Sequence, residues 1–333
     1  MSIILGLNCY HADSSACLFV NNNLEFGIEE ERINRTKHWA GLPINSIKAC
    51  LLYKGLKISD VTDIAINTNP FSNIAQKATF FLRNYITGSK KKEIFKRAKN
   101  KFNLLDDINK NFINDKLSNN VKLHFIDHHL SHIASAFYPS KFNKAIGLSV
   151  DGFGDFCSLA VAKCENKKIK IIDRVYFPHS LGVFYEAFTQ LLGFRNYGDE
   201  YKVMGLSSYG SPKYFDEILN NFFTNKKDLN LNLNYFRHTG KNFKYKFKGL
   251  PNQSKIFNKS VNSKFSIFKN QKISKKHQNI ASSVQKVFEH KLINIINKIN
   301  DLKFSKNLVY AGGCALNSLA NKKILDSKLF KKI

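Results

Sequence analysis

The sequence predicts an α/β protein built as two related lobes, and three observations predict it. Apolar runs of strand character alternate with segments of helical periodicity along the chain. A short stretch near the start, Ile4-Leu5-Gly6-Leu7, is echoed 141 residues later by Ala145-Ile146-Gly147-Leu148, and at the same offset Leu18 and Val20 match Leu159 and Val161. Both stretches read as strand, small polar turn, strand, and a repeated hairpin of this kind suggests two lobes of common design. Each lobe would then offer a polar turn to a phosphate chain lying in the cleft between them. Near the end, Asn307–Tyr310 reads as a strand that Ala311-Gly312-Gly313-Cys314-Ala315-Leu316-Asn317 turns into a helix. Strand, double glycine, helix is a common way to bring backbone close to a nucleotide.

In chain order, residues 2–8 read as a strand, followed by a polar turn holding His11, Asp13 and Ser14. Strands follow at Ala16–Val20 and Leu24–Ile28, joined by the turn Asn21-Asn22-Asn23. The charged run Glu29-Glu30-Glu31-Arg32 reads as a solvated face. Residues 44–56 have helical character and 62–67 strand character. The Lys- and Asn-rich segment 73–120 reads as surface helices inserted between core strands. A strand at 121–126 precedes the helix His128–Tyr138, which Asp127 can cap and Pro139 follows. Ala145–Val150 is a strand. Residues 211–275 are polar, weakly patterned and expected to be peripheral. Apolar positions Ile280, Val284, Val287, Phe288, Leu292, Ile295, Ile296 and Ile299 define an amphipathic helix over 278–299. The lobes are placed at 1–143, with the helical insertion at 73–120, and at 144–333.

The 333 residues leave room for one large or two medium domains, and 43% hydrophobic residues suffice for a proper core. Cys9, Cys17, Cys50, Cys157, Cys164 and Cys314 form no CxxC pair and no framework spacing. They read as reduced core thiols of a cytoplasmic protein. The start of the chain lacks the basic and apolar regions of a signal peptide, and no apolar run reaches membrane-spanning length. The net charge of +27 invites a nucleic-acid reading, but only 7 of the 52 basic residues are Arg. Recognition of phosphate or bases would favour Arg. The excess Lys travels with Asn, Ile and Phe, as in the product of an AT-rich genome, so neither nucleic acid nor membrane is expected as a partner.

Two segments carry the strongest chemistry. His128 and His132 lie four residues apart, on one face of the expected helix, with His129 off that face as a supporting or surface residue. Asp151 ends an apolar strand, where an unbound carboxylate is costly, and opens the glycine turn Asp151-Gly152-Phe153-Gly154-Asp155. Two imidazoles and a carboxylate are the ligand set of a divalent transition metal. The glycine turn is the kind of backbone that closes over phosphate. His11, beside the first strand, offers a proton acceptor, and Ser14 and Ser15 offer hydroxyls. The segment from Gly198 to Leu206 mixes Asp199, Glu200 and Lys202 with apolar residues, which points to a buried polar cluster.

Together these residues resemble the NodU/CmcH-type carbamoyltransferases, which act in making nodulation factors and carbamoylated antibiotics. The resemblance rests on LGLNCYHADSSACL at 5–18, EEERINRTKH at 29–38, DHHLSHIASAFYPS at 127–140, SVDGFGD at 149–155, SLGVFYEAFTQLLGF at 180–194, GDEYKVMGLSSYG at 198–210 and AGGCALNSLAN at 311–321. It implies a two-lobed actin/Hsp70-like ATPase fold with ribonuclease H-like lobes and helical insertions. It implies iron(II) or another divalent metal held by His128, His132 and Asp151, with Mg a further candidate. It implies carbamoyl-adenylate, made from carbamoyl phosphate and ATP, whose carbamoyl group passes to a hydroxyl acceptor. Gly152 and Gly154 would take the phosphate, and Gly312, Gly313 and Asn317 the adenosine. Asp13, Ser14, Glu200 and Lys202 would line the intermediate or acceptor pocket, with His11 as the base. Family members are longer and add a domain that forms carbamoyl-adenylate. This chain stops at the start of a strand, so the second lobe is expected to be incomplete, one metal ligand short, and served by a separate chain.

Three functions compete. The first is O-carbamoyl transfer in secondary-metabolite or glycan biosynthesis. The second is tRNA threonylcarbamoyl transfer, which shares the fold and the His pair. The third is a nucleotide-binding fragment without catalysis. HADSSACL and EEER favour the first.

Overall fold

The first apolar run becomes the central strand of a sheet. The computed structural model describes residues 1–83, 103–239, 246–248, 250–252, 255–258, 261 and 272–333. It divides into two compact units: Met1–His128 with Lys244–Gln253, and His129–Phe243 with Ser254–Ile333.

In the first unit, β1 (Ile3–Asn8) alternates buried Ile3, Leu5 and Leu7 with residues of the opposite face. It pairs antiparallel with β2 (Ser15–Val20), Leu5 opposite Leu18, and β3 (Asn23–Glu29) continues the antiparallel run. On the other side of β1, β4 (Asp63–Ile66) and β5 (Lys122–Phe125) add in parallel. The order β3-β2-β1-β4-β5 is the ribonuclease H-like arrangement. Helices α1 (Glu30–Asn34) and α2 (Ile44–Tyr53) follow β3, and α3 (Ile74–Arg83) and α4 (Leu104–Asn109) come from the 73–120 insertion. The insertion is not wholly a surface feature: Leu104 and Ile108 are fully buried with Ile47, Ile64 and Ile66. Its stretch 84–102 lies outside the described residues. Short antiparallel strands Lys246–Lys248 and Leu250–Asn252 group with this unit.

The division falls after His128, the first residue of α5 (His128–Phe137). In the second unit, β6 (Lys144–Gly154), β7 (Cys157–Glu165) and β8 (Lys168–Tyr176) form an antiparallel meander, and β9 (Leu308–Ala311) joins β6 in parallel. The sheet order β9-β6-β7-β8 repeats the first four positions of the other sheet. The internal echo therefore marks equivalent hairpins. Their registers differ, because Leu159 faces Val150, four residues past Ile146. Ala145–Val150 is buried throughout because both sheet faces are covered. Ile133 and Phe137 of α5 pack against Ala160, Ala162 and Val309 on one side. The other side meets α6 (Leu181–Leu191) and the 26-residue α9 (Lys275–Asn300).

The expected amphipathic helix is thus present, with Ile280, Val284, Val287, Phe288 and Leu292 buried. The region 211–275 is not peripheral. Helix α8 (Phe215–Phe222) and the chain after it bury Ile218, Phe222, Leu231, Phe236 and Ile256 in the same core. Phe222 and Phe257 meet Phe188 of α6 edge-on, and Phe223 meets Phe184 at a tilt, at centroid distances near 5 Å. The parts of this region at 240–245 and 262–271 lie outside the described residues. None of the six cysteines forms a disulfide among the described residues. Among the described residues, no helix is long and apolar enough to cross a membrane.

Candidate functional site

Asp151 sits where β6 leaves its buried run. Its Oδ1 accepts from the backbone N–H of Gly152 at 2.7 Å and of Gly313 at 3.3 Å, and its Oδ2 lies 3.0 Å from His132 Nε2. Ser180 Oγ fixes the same corner. It is 3.1 Å from the Asp151 carbonyl and 2.7 Å from that of Gly152, and it accepts from Val183 N as the N-cap of α6. The double glycine follows from this crowding. Gly312 has φ +95°, and a Cβ there would run into the Val150 carbonyl. A Cβ on Gly313 would lie 2.7 Å from Asp151 Oδ1. By contrast, a Cβ on Gly152 would meet nothing within 4 Å, so this backbone faces open space. Pairing between β6 and β7 is interrupted from Val150 to Gly154, and Asp155 and Phe156 turn through the left-handed region.

His128 and His132 stand one helical turn apart on α5. Their ligand nitrogens and an Asp151 oxygen all lie within 4.8 Å of one another. All three residues are partly exposed. This donor set suits a divalent transition metal. His129, expected as a supporting or surface residue, is fully buried, with Nδ1 2.8 Å from Ser149 Oγ. It fastens α5 to β6 and so sets the height of its two neighbours.

Around the glycine turn, α10 (Ser318–Asp326) begins at Asn317. The Asn317 amide is spent internally: Oδ1 accepts from Ala320 N, and the amide pairs reciprocally with Gln285 at 2.9 Å in both directions. Tyr185 also donates to Gln285 Oε1 at 2.8 Å. Glu200 opens α7 (Glu200–Ser207). Lys202 donates to the buried Asp199 at 2.6 Å, which favours its charged form, and lies 5.9 Å from the Phe194 ring. Burial raises the Cys314 thiol well above its usual range, and the charges of Asp151 and Glu200 add to this. Those two carboxylates therefore share one electrostatic neighbourhood around the turn. Glu186 on α6 belongs to it as well. Burial, then the charge of Glu200, pushes its carboxyl up to about 8. The sequence hid this residue because a single Glu in an apolar helix carries no motif.

In the first unit, the His11 ring lies 6.4 Å from that of His128. His11 Nδ1 is 3.2 Å from the Ala12 carbonyl. Ser14 is fully buried, its hydroxyl 2.8 Å from the carbonyls of both His11 and Gly41, so it shapes the turn. Asp13 Oδ1 is 2.7 Å from Nδ1 of His38, a residue that sequence reasoning passed over inside the EEERINRTKH segment. Glu30, expected on a solvated face, is buried at 2% exposure. Its carboxylate accepts from the backbone and side chains of both Asn45 and Ser46, closing the N-terminus of α2.

Comparison with known proteins adds the following. The profile of the family described as carbamoyltransferase N-terminus matches residues 3–333. An uncharacterised protein of Synechocystis is 32% identical over all of this chain and 54% of its own length. The nodulation protein NolNO of Sinorhizobium fredii is 27% identical over 98% of this chain and 44% of its own length. The chain thus spans about half the length of these curated relatives. A superposition on HypF of T. kodakarensis covers all of this chain and 45% of that one, with a TM-score of 0.42 and 12% identity. The fold is identified by its strand order rather than by that superposition.

Proposed function

This chain belongs to the carbamoyltransferase N-terminal family, and on that premise we propose that it carries the group-transfer site of an O-carbamoyltransferase. The observation that carries the reading is the convergence of His128, His132 and Asp151 beside two glycine turns. The donor is carbamoyl-adenylate, and the acceptor is a hydroxyl of a small molecule or sugar. An activating reaction that spends ATP on carbamoyl phosphate must supply the donor. His128, His132 and Asp151 hold iron(II) or another divalent metal. When bound, such an ion supplies Lewis acidity to a carbamoyl oxygen, a sluggish electrophile otherwise.

The remaining work belongs to this chain's own groups. The Gly152–Gly154 turn, open to space at Gly152, takes the phosphate. Gly312 and Gly313 let adenosine approach the backbone closely. Asn317, committed to Gln285 and to the start of α10, supports that turn from behind. Glu200 and Lys202 line the pocket, and Asp199 keeps Lys202 in place. AMP is a good leaving group, so the chain must mainly hold the carbamoyl carbon against the acceptor and remove one proton.

The test has two readouts. Anaerobically purified protein should hold close to one equivalent of a transition metal by elemental analysis, and His132→Ala should lose it. Supplied carbamoyl-adenylate should release AMP faster with the protein than without. Metal-free protein that leaves carbamoyl-adenylate untouched would sink the reading.

A further inference from the structure

We propose that Ser180 and Gly182, at the start of α6, are positioning residues for the Asp151 carboxylate and so set the affinity of the metal site. The inference rests on the metal-site reading above and adds the residues that hold one of its ligands in place. The segment SLGVFYEAFTQLLGF at 180–194 carries part of the family resemblance. Most of its first half is core: Leu181, Val183, Phe184, Ala187 and Phe188 are buried. Apolar packing explains those residues but neither Ser180 nor Gly182.

The peptide that joins Asp151 to Gly152 is rigid and planar, and both of its polar groups are engaged. Its N–H, that of Gly152, donates to Asp151 Oδ1 at 2.7 Å. Its C=O, that of Asp151, lies 3.1 Å from Ser180 Oγ, and the next carbonyl, that of Gly152, lies 2.7 Å from the same hydroxyl. The tilt of one peptide plane therefore decides where the carboxylate points. Gly182 closes on that plane as well. A Cβ there would stand 2.8 Å from both the Asp151 carbonyl oxygen and Gly152 N, so only glycine lets α6 begin directly against it. Held in this way, the carboxylate presents Oδ2 to His132 Nε2 at 3.0 Å and Oδ1 to Gly313 N at 3.3 Å. A ligand already aimed loses little freedom when a metal binds.

Ser180 suits the task because its own place is fixed independently of the glycine turn. It is fully buried, and its hydroxyl accepts from Val183 N at 3.1 Å. The two residues before it are tied down. The His179 carbonyl accepts from Ser158 Oγ of β7 at 2.6 Å, and His179 Nδ1 accepts from Leu231 N at 3.1 Å. The Pro178 carbonyl accepts from His238 Nε2 at 2.8 Å. These residues, Asp151 and His132 all belong to the second unit. A helix cap needs only the bond from Val183. Two carbonyls of the metal-ligand corner on the same hydroxyl are what capping leaves unexplained.

The experiment measures Co(II) binding to the full chain, read from its ligand-field absorption and by competition with a chelator. Wild-type protein should bind cobalt at a site that His132→Ala abolishes. Ser180→Ala and Gly182→Ala should each bind it about 10–100-fold more weakly while urea unfolding stays cooperative. Ser180→Thr keeps the hydroxyl and should restore wild-type affinity. Ser180→Gly separates the two duties of the side chain. Glycine is a tolerable N-cap, so a residue that only caps predicts unchanged affinity, whereas a positioning residue predicts the same weakening as in Ser180→Ala. Amide exchange at Gly152 should quicken in both variants. If Ser180→Ala and Ser180→Gly hold cobalt as tightly as wild type, Ser180 is a cap alone and the proposal is overturned, with the metal site intact. Should Ser180→Ala fail to fold, Ser180→Gly and Gly182→Ala decide, and unchanged affinity in either overturns it. If wild-type protein binds no cobalt, or His132→Ala binds it equally well, the metal-site reading fails and the proposal falls with it.

Discussion

Asp151 joins three things at one carboxylate: the His pair through His132, its own loop through Gly152, and the double-glycine turn through Gly313. Asp151→Ala should therefore cost more than metal content. It should also loosen the Gly312–Leu316 turn, seen as faster amide exchange there, while His132→Ala should lose metal and leave that turn ordered. Gly312→Ala tests the crowding itself. Its left-handed φ and the Val150 carbonyl in the path of a Cβ predict a loss of about 2–3 kcal/mol or more in chemical denaturation. A variant as stable as wild type would show that the turn can relax. His238 makes a pH prediction. It is buried with Phe153 stacked on it at 5.9 Å, it donates from Nε2 to the Pro178 carbonyl, and its Nδ1 has no hydrogen-bond partner among the described residues. Burial lowers its pKa to about 4, with the neighbouring His179 adding a small push in the same direction. Between about pH 6.5 and 4 the unfolded chain binds a proton that the folded one refuses. Stability is thus full above pH 6.5 and falls with pH across that window, by about 3 kcal/mol in all. His238→Gln should flatten this acid limb, and an unchanged slope would assign the loss to other groups.

At the scale of elements, periodicity decided what could be read in the sequence. The strand β1 and the helix α9 were legible because each keeps one period along its length, and β6 because its buried part is an unbroken apolar run. The 211–275 region was not. Its buried residues, Ile218, Phe222, Leu231, Phe236 and Ile256, come from a short helix and irregular chain, so no period links them. Lys and Asn between them supply the polar look of a surface. Glu30 misled for the opposite reason. It lies in a run of four charges, yet the residue that follows β3 must point inward, and there it meets the exposed N–H groups of α2. A buried carboxylate with four donors is an anchor between two elements. Glu30→Gln keeps the shape but removes the charge that the helix N-terminus favours and leaves a donor facing donors. It should cost about 2–3 kcal/mol in urea unfolding, against a few tenths for Glu29→Gln on the exposed side. Equal effects of the two would deny Glu30 its anchoring role.

At the scale of the whole chain, contacts within one short segment were visible and contacts between distant ones were not. The His128–His132 spacing and the double glycine are local and were found. The Asp13–His38 pair joins positions 25 apart, and the Gly313–Asp151 bond joins positions 162 apart. Only the folded chain brings the members of each pair together. The internal echo showed two lobes because duplicated hairpins keep their apolar spacing even when the pairing register drifts by four residues. Two lobes of one design need not share stability. The first unit packs Leu5, Leu18, Ile47 and Ile64 around its own sheet, and the second packs Phe184, Phe188, Phe222 and Phe288 around another. Phe288 of α9 is 2% exposed and lies edge-on to Tyr185 at 5.2 Å. Truncating it to Ala should remove about 3–5 kcal/mol, since the rings around it cannot close the hole. If each unit is held by its own core, hydrogen exchange in Phe288→Ala will accelerate in β6, β7, α6 and α9. The amides of β1, β2 and β4 will exchange at their wild-type rates. A uniform acceleration across both sheets would mean instead that the chain unfolds as one cooperative body.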